Sequence, residues 1–229
     1  MAIKDIKSLS ERFAYKASTA TSSIKSITHK ISKPQRFRSY KYHISEVTYA
    51  HLSPLPDLLQ NDLKLVFCGF NPGIKSAELG HRFAHRSNCF WPLLYQSGIV
   101  PDPLTFEDDI SMPERYNIGF TELVMRPTKG VEEIPTQELK TNVPRLLDTI
   151  NKYRPKVLCL VGRGIWDAIA RTMKIDNKNF KWGLQEQSVF KCKLFVVPST
   201  SGLVRIKHED KLETWRDLKK LIDKETGTS

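Results

Sequence analysis

The chain has 229 residues, 40% of them hydrophobic, and its 36 basic against 25 acidic residues give a formal net charge of +11. That length suits one good-sized domain with a tail. No apolar run is long enough to span a membrane, and the amino terminus lacks the apolar stretch of a signal peptide, so neither a membrane protein nor a secreted one is expected.

The charge is unevenly placed. Residues 1–41 hold ten lysines and arginines against only Asp5 and Glu11, and Ser18 to Ser23 form a low-complexity patch. Residues 1–51 therefore read as a basic, flexible arm, able to strengthen DNA binding by counterion release or to act as an address. The scarcity of arginine and the two acids argue against a mitochondrial address, which leaves a nuclear one as the expectation.

The folded part is expected over residues 52–225, with 226–229 as a tail. Ser53-Pro54-Leu55-Pro56-Asp57 reads as an entry turn. Lys64 to Cys68 is an apolar run that suits a buried strand, and it stops at Gly69-Phe70-Asn71-Pro72-Gly73, where glycine and proline force a turn. In open α/β sheets ligands bind at such carboxyl ends. On pattern alone, the simplest role for Asn71 is to brace the turn through a local bond.

Residues 74–87 lack clear periodicity. A helix is expected from about Asn88 to Gln96, with Pro92 in its first turn and Gly98 at its C′ position. Residues 101–115 are an acidic excursion, and Tyr116 to Leu123 is a short strand or an extended loop. Thr136 is placed to cap a helix running to Ile150. Lys156 to Val161 is a second buried strand ending at Gly162-Arg163-Gly164, followed by a helix from Ile165 to Met173. A third strand covers residues 189–197 and ends at Pro198-Ser199-Thr200-Ser201-Gly202. Asp210 to Lys224 sets Leu212, Trp215, Leu218 and Ile222 at helical spacing. Recurring strand, helix and strand imply a mostly parallel sheet in a three-layer α/β/α sandwich.

Cys68, Cys89, Cys159 and Cys192 form no C-x-x-C pair, and two of them lie in strand-like runs, so buried free thiols are expected and no metal. No phosphate loop, dinucleotide fingerprint or G-x-S-x-G elbow is present.

The stretches Gly69-Phe70-Asn71-Pro72-Gly73, Gly80-His81-Arg82-Phe83-Ala84-His85 and Asn88-Cys89-Phe90-Trp91 resemble the mismatch-specific uracil and thymine DNA glycosylases, within the uracil-DNA glycosylase superfamily. So do Ile118 to Val124 with Arg126-Pro127-Thr128, and Ser199-Thr200-Ser201-Gly202-Leu203-Val204-Arg205. The resemblance implies an α/β/α enzyme without metal or cofactor, acting as a nuclear monomer on double-stranded DNA that carries a mismatched or damaged pyrimidine. It gives Asn71 the task of positioning water. Phe83 would stack on an extruded base, with Phe70, Asn88 and Glu122 in the same pocket. Ser199 and Ser201 would grip the backbone, Leu203 would wedge into the duplex, and Gly202 and Arg205 would meet the strand opposite. Arg82 stands where animal members that process thymine carry histidine, and Glu122 replaces a polar or basic residue, so thymine activity is less secure than uracil activity. A uracil-only glycosylase and a non-catalytic module that binds mismatched or abasic DNA are the competing expectations.

Overall fold

The computed structural model describes residues 49–186 and 188–227, so the basic arm, apart from residues 49–51, lies outside the described residues. Five strands form one sheet: β1 (Leu65–Gly69), β2 (Ile118–Glu122), β3 (Val157–Val161), β4 (Gly183–Gln185) and β5 (Lys193–Val197). Their order is β2-β1-β3-β5-β4. The first four in that order run parallel, and β4 pairs antiparallel at the edge. Among the described residues the six α-helices are α1 (Ile74–Leu79), α2 (Phe90–Gln96), α3 (Met112–Tyr116), α4 (Thr136–Tyr153), α5 (Arg163–Met173) and α6 (His208–Thr226).

Alternation along the strands sorts side chains into two cores. Val66, Cys68, Leu158, Leu160, Leu194 and Val196 pack against Val143, Leu146 and Ile150 of α4 and Ile165, Trp166 and Ile169 of α5. On the other face Leu65, Phe67, Val157, Cys159, Phe195 and Val197 pack against Phe90, Leu93 and Leu94 of α2 and Trp215, Leu218 and Ile222 of α6. A sheet covered on both faces has no polar side to alternate with, which is why its strands read as unbroken apolar runs. The architecture is the expected three-layer sandwich.

Several local expectations need correction. Residues 74–79 form α1, closed by Gly80 at φ 76°; six residues are too few to display a periodicity. The excursion at 101–115 contains a 3-10 turn over Phe106–Ser111, capped reciprocally by Thr105 and Asp108, and then most of α3. Pro135 occupies the N-cap of α4, so Thr136 is already inside the helix and its hydroxyl caps nothing. That helix carries Pro144 on its solvent side and runs on to Tyr153. Likewise α5 begins at Arg163, directly after Gly162. The third expected strand starts only at Lys193, and β4 was not foreseen because three residues carry too little pattern.

Trp215 anchors one core: it is fully buried and stacks on Phe67 at 5.3 Å, with Phe90 edge-on at 5.3 Å. Its indole nitrogen has no hydrogen-bond partner among the described residues. Trp215→Ala should therefore lower the unfolding free energy by about 3–5 kcal/mol through lost burial and a cavity. Trp215→Phe, which sacrifices no hydrogen bond, should cost much less; urea unfolding curves compare the two.

Candidate active site

All four parallel strands end at one edge of the sheet, and their loops meet there. The chain leaving β1 is laced to the chain leaving β2: Leu123 donates its N–H to Gly69 O at 2.9 Å, Val124 to Phe70 O at 2.9 Å and Thr128 to Pro72 O at 3.2 Å. Gly162, after β3, donates to Val197 O at 2.9 Å, the last residue of β5.

Asn71 sits half-buried in the first of these loops. Its Nδ2 donates to Thr128 Oγ1 at 2.8 Å, Pro72 O at 3.0 Å and Arg126 O at 3.2 Å. The Thr128 hydroxyl spends its own proton on Gly130 O at 2.8 Å, so towards Asn71 it can only accept. Three acceptors around one atom require that atom to be the NH₂, which fixes the amide the other way up to its oxygen. Oδ1 has no partner among the described residues and remains a free acceptor at the mouth of the sheet. The segment that holds this clamp is itself fixed by a two-pronged ion pair, Arg126 Nε and Nη2 each 2.8 Å from a carboxylate oxygen of Glu138.

The next loop folds back onto α1, His81 donating its N–H to Ser76 O at 3.1 Å and Ala84 its own to Ser76 Oγ at 3.2 Å. Phe83 adopts φ 54°, a left-handed conformation that costs a bulky residue of order 1 kcal/mol or more. One face of its ring lies on Phe90 at 3.9 Å and 7°, and Phe83 as a whole is only partly buried. Asn88 caps α2 through Oδ1, which accepts from Phe90 N at 3.0 Å, and its Nδ2 has no partner among the described residues. Phe70 is different: its ring rests beside Gly164 and the α4–α5 core, across the sheet from Phe83.

Glu122 ends β2 directly beside Gly69 in the parallel register. Its carboxyl lies where a side chain on Gly69 would have to go; a Cβ there would come 2.9 Å from Glu122 Cδ. The residue is 3% exposed. Burial pushes its carboxyl up to about 7, against the opposing pull of Arg82. Arg82 is buried between two carboxylates, its Nη1 4.0 Å from Asp109 Oδ2 and its Nε 3.7 Å from Glu122 Oε1. That Nε makes no hydrogen bond, while the guanidinium also donates to Pro56 O. Asp109 is occupied by His81 Nδ1 and Arg82 N, both at 2.8 Å. The guanidinium is thus a buried strut, and Glu122 shares its cation with Asp109.

The loop after β5 stands on serine turns: Ser201 N donates to Ser199 Oγ and Leu203 N to Ser201 Oγ, each at 3.3 Å. Thr200 is buried and its carbonyl accepts from Cys89 N at 3.0 Å, pinning the loop to the start of α2. Gly202 lies so close to Ser87 that a Cβ would come 2.6 Å from Ser87 Cβ, so this loop and the Phe83–Asn88 loop are in contact. Leu203 is 88% exposed, more than any other large apolar side chain among the described residues. Arg205 is exposed and has no partner among them.

The structure thus brings Asn71, Phe83, Asn88, Glu122 and the Ser199–Arg205 loop to one edge of the sheet, and it sends the Phe70 ring to the other face. Sequence reasoning missed Thr128, Arg126, Ser87 and the buried Asp109. Only the motif Arg126-Pro127-Thr128 was visible beforehand, and its link to Asn71 spans 57 positions. Among the described residues, no cluster of His, Cys, Asp or Glu could hold a metal ion, and no helix is long and apolar enough to cross a membrane. Residues 56–219 match the family model described as the Uracil DNA glycosylase superfamily.

The raised Glu122 carboxyl has a consequence for stability. Free glutamate loses its proton near 4.5 but Glu122 in the fold holds it to about 7, so the folded form binds more protons between those values. Its contribution is fully present below pH 4.5 and is lost as pH rises through 7. Glu122→Gln should remove that slope, and the difference between wild-type and variant unfolding free energies should change by roughly 2–4 kcal/mol between pH 4.5 and 8. Chemical denaturation across that range measures it; parallel curves would contradict the assignment.

Proposed function

The chain belongs to the uracil DNA glycosylase superfamily, and we propose that it is a monofunctional glycosylase for uracil mispaired with guanine, with slower action on thymine or modified pyrimidines. The single observation that carries this reading is the Asn71 amide, clamped through Nδ2 by three acceptors with Oδ1 left free. A free, immobile acceptor at the ligand end of a sheet suits a water whose hydrogen must point inwards so that its lone pair faces the sugar C1′.

The target base is out of reach inside a duplex and has to be extruded. Phe83, already backed by Phe90 on one face, offers the other as a stacking surface that holds a pyrimidine without reading it. The unpaired Nδ2 of Asn88 is a hydrogen-bond donor beside that ring. Leu203, almost wholly exposed, suits a wedge that fills the space vacated by the base. Its serine-turn loop presents Ser199 and Ser201 for the phosphate backbone, with Gly202 and Arg205 towards the opposite strand.

An amide cannot take a proton at neutral pH, so water is activated by position alone and the rate depends on how readily the base departs. Glu122 bears on this. In its neutral form the carboxyl can donate to a departing pyrimidine, whereas the ionised form repels an anion. Uracil, the better leaving group, is favoured over thymine. No lysine lies in the Asn71 or Ser199 loops, which supports hydrolysis to an abasic site without strand scission through a Schiff base.

Labelled duplexes with a single G·U, G·T or A·U pair, incubated with protein and then heated in alkali, test the proposal. The expected order is G·U above G·T, with breakage only after alkali. Asn71→Ala should lower single-turnover cleavage of G·U by about 100- to 1,000-fold, the scale of a lost positioning group, with little change in binding. Normal turnover by that variant would overturn the mechanism. Leu203→Ala should weaken substrate binding by roughly tenfold, as expected for a lost buried leucine, while leaving bound substrate to react. Tight binding with no cleavage of any duplex would instead identify a recognition module.

A further inference from the structure

A second feature at the same edge of the sheet has no part in the pocket. Phe180 and Trp182 meet edge-to-face at 5.0 Å and 85°, and the Arg163 guanidinium lies 4.8 Å from the centre of the Phe180 ring. Trp182 is 40% exposed and the Arg163 side chain 51% exposed. The chain has four tryptophans, and the other three, Trp91, Trp166 and Trp215, are 5%, 2% and 0% exposed. A large aromatic kept in water beside a cation is a poor use of apolar surface unless something covers it.

The register says where this stack stands. In the antiparallel pair Gly183 faces Val196, so Trp182, one residue earlier, comes alongside Val197, where β5 gives way to the Ser199–Arg205 loop. Arg163 opens α5 directly after Gly162, whose N–H is bonded to that same Val197. Trp182 therefore stands on the β4 side of the root of the loop and Arg163 on its β3 side, with Phe180 in contact with both. Phe180 also lines a groove with Lys181, Asp176 and Glu186, and outside that lining Lys174 and Lys178 add positive charge to the same segment.

We propose that Arg163, Phe180 and Trp182 form a stacking platform for unpaired bases of single-stranded DNA next to the strand held by the Ser199–Arg205 loop. The chemistry favours single strands over duplex: an exposed indole can stack only on a base whose face is free, and in a duplex the faces are taken. Lys181, and Arg163 on the side of its guanidinium not paired with Asp167 at 3.4 Å, supply the positive charge that a backbone passing the rings requires. The platform widens the range of substrates to lesions beside gaps, overhangs or melted segments. It rests on the DNA-facing role proposed above for the Ser199–Arg205 loop, but its test does not depend on catalysis.

Trp182 dominates any solvent-accessible tryptophan signal, so intrinsic fluorescence reports on the platform directly. A dT oligomer of about 16 nucleotides should quench the full-length protein saturably, whereas inorganic polyphosphate of similar length, which carries charge without rings, should not. Trp182→Phe should abolish the quench yet keep the affinity for a dye-labelled oligomer, measured by anisotropy. Trp182→Ala should lower that affinity by about tenfold while leaving cleavage of a blunt G·U duplex unchanged, with circular dichroism verifying the fold. No quench by the oligomer, equal quench by polyphosphate, or unaltered affinity in Trp182→Ala would overturn the platform. Quenching without cleavage of any duplex would sink the glycosylase reading and leave the platform standing.

Discussion

The triple capture of one nitrogen, Asn71 Nδ2, is the constraint on which the rest of the site depends. A side-chain amide can rotate and flip; three acceptors on one end leave it a single orientation. One acceptor, Pro72 O, belongs to the same turn, and the other two, Arg126 O and Thr128 Oγ1, come from the segment after β2, which is firmly held. Backbone bonds lace it to β1 and its turn, and the Arg126–Glu138 pair ties it to α4. Each neutral hydrogen bond is worth only about 0.5–1.5 kcal/mol, but together they replace mobility with a defined acceptor direction. The orientation of the Asn71 amide is thus an outcome of sheet pairing some distance in sequence from it.

Electrostatics sharpen the picture. Burial pushes the Glu122 carboxyl up to about 7, so near neutral pH it is divided between its protonated and ionised forms. Arg82 is shared with Asp109 and leaves one N–H without a hydrogen bond. Breaking a buried group of this kind by removing one member costs more than the pair contributes. The cluster is best understood as a scaffold with one adjustable proton at the end of β2.

How much of this was legible in the sequence depended on the range of the interaction. The strands β1 and β3 announced themselves because burial on both faces leaves an unbroken apolar run, and α6 did so through Trp215, Leu218 and Ile222 at helical spacing. Helices of five or six residues such as α1 and α3, and the three-residue β4, are held by tertiary contacts and carry too few positions to show a period. The same division runs through the site. Asn71 and Leu203 stand out locally, one between turn formers and the other after a serine turn. Thr128, which orients Asn71, and Ser87, which abuts Gly202, act across long stretches of chain that only folding closes. Thr136 misled because a good capping residue one position inside the helix looks the same in sequence as one at its boundary; Pro135, already extended, took that place.

The contact between Gly69 and the Glu122 carboxyl has an evolutionary reading. Both backbones are fixed by strand register, so a side chain at 69 would take the space the carboxyl now fills, and the flexible end of Glu122 would have to turn out of its place beside Arg82. Substitution histories at 69 and 122 are therefore coupled in one order. A lineage can shorten residue 122 first and then acquire a side chain at 69 at little cost, whereas on the reverse path the Glu122 carboxyl must first give up its buried place beside Arg82. Among relatives, a side chain at the first position should tend to accompany a smaller residue at the second.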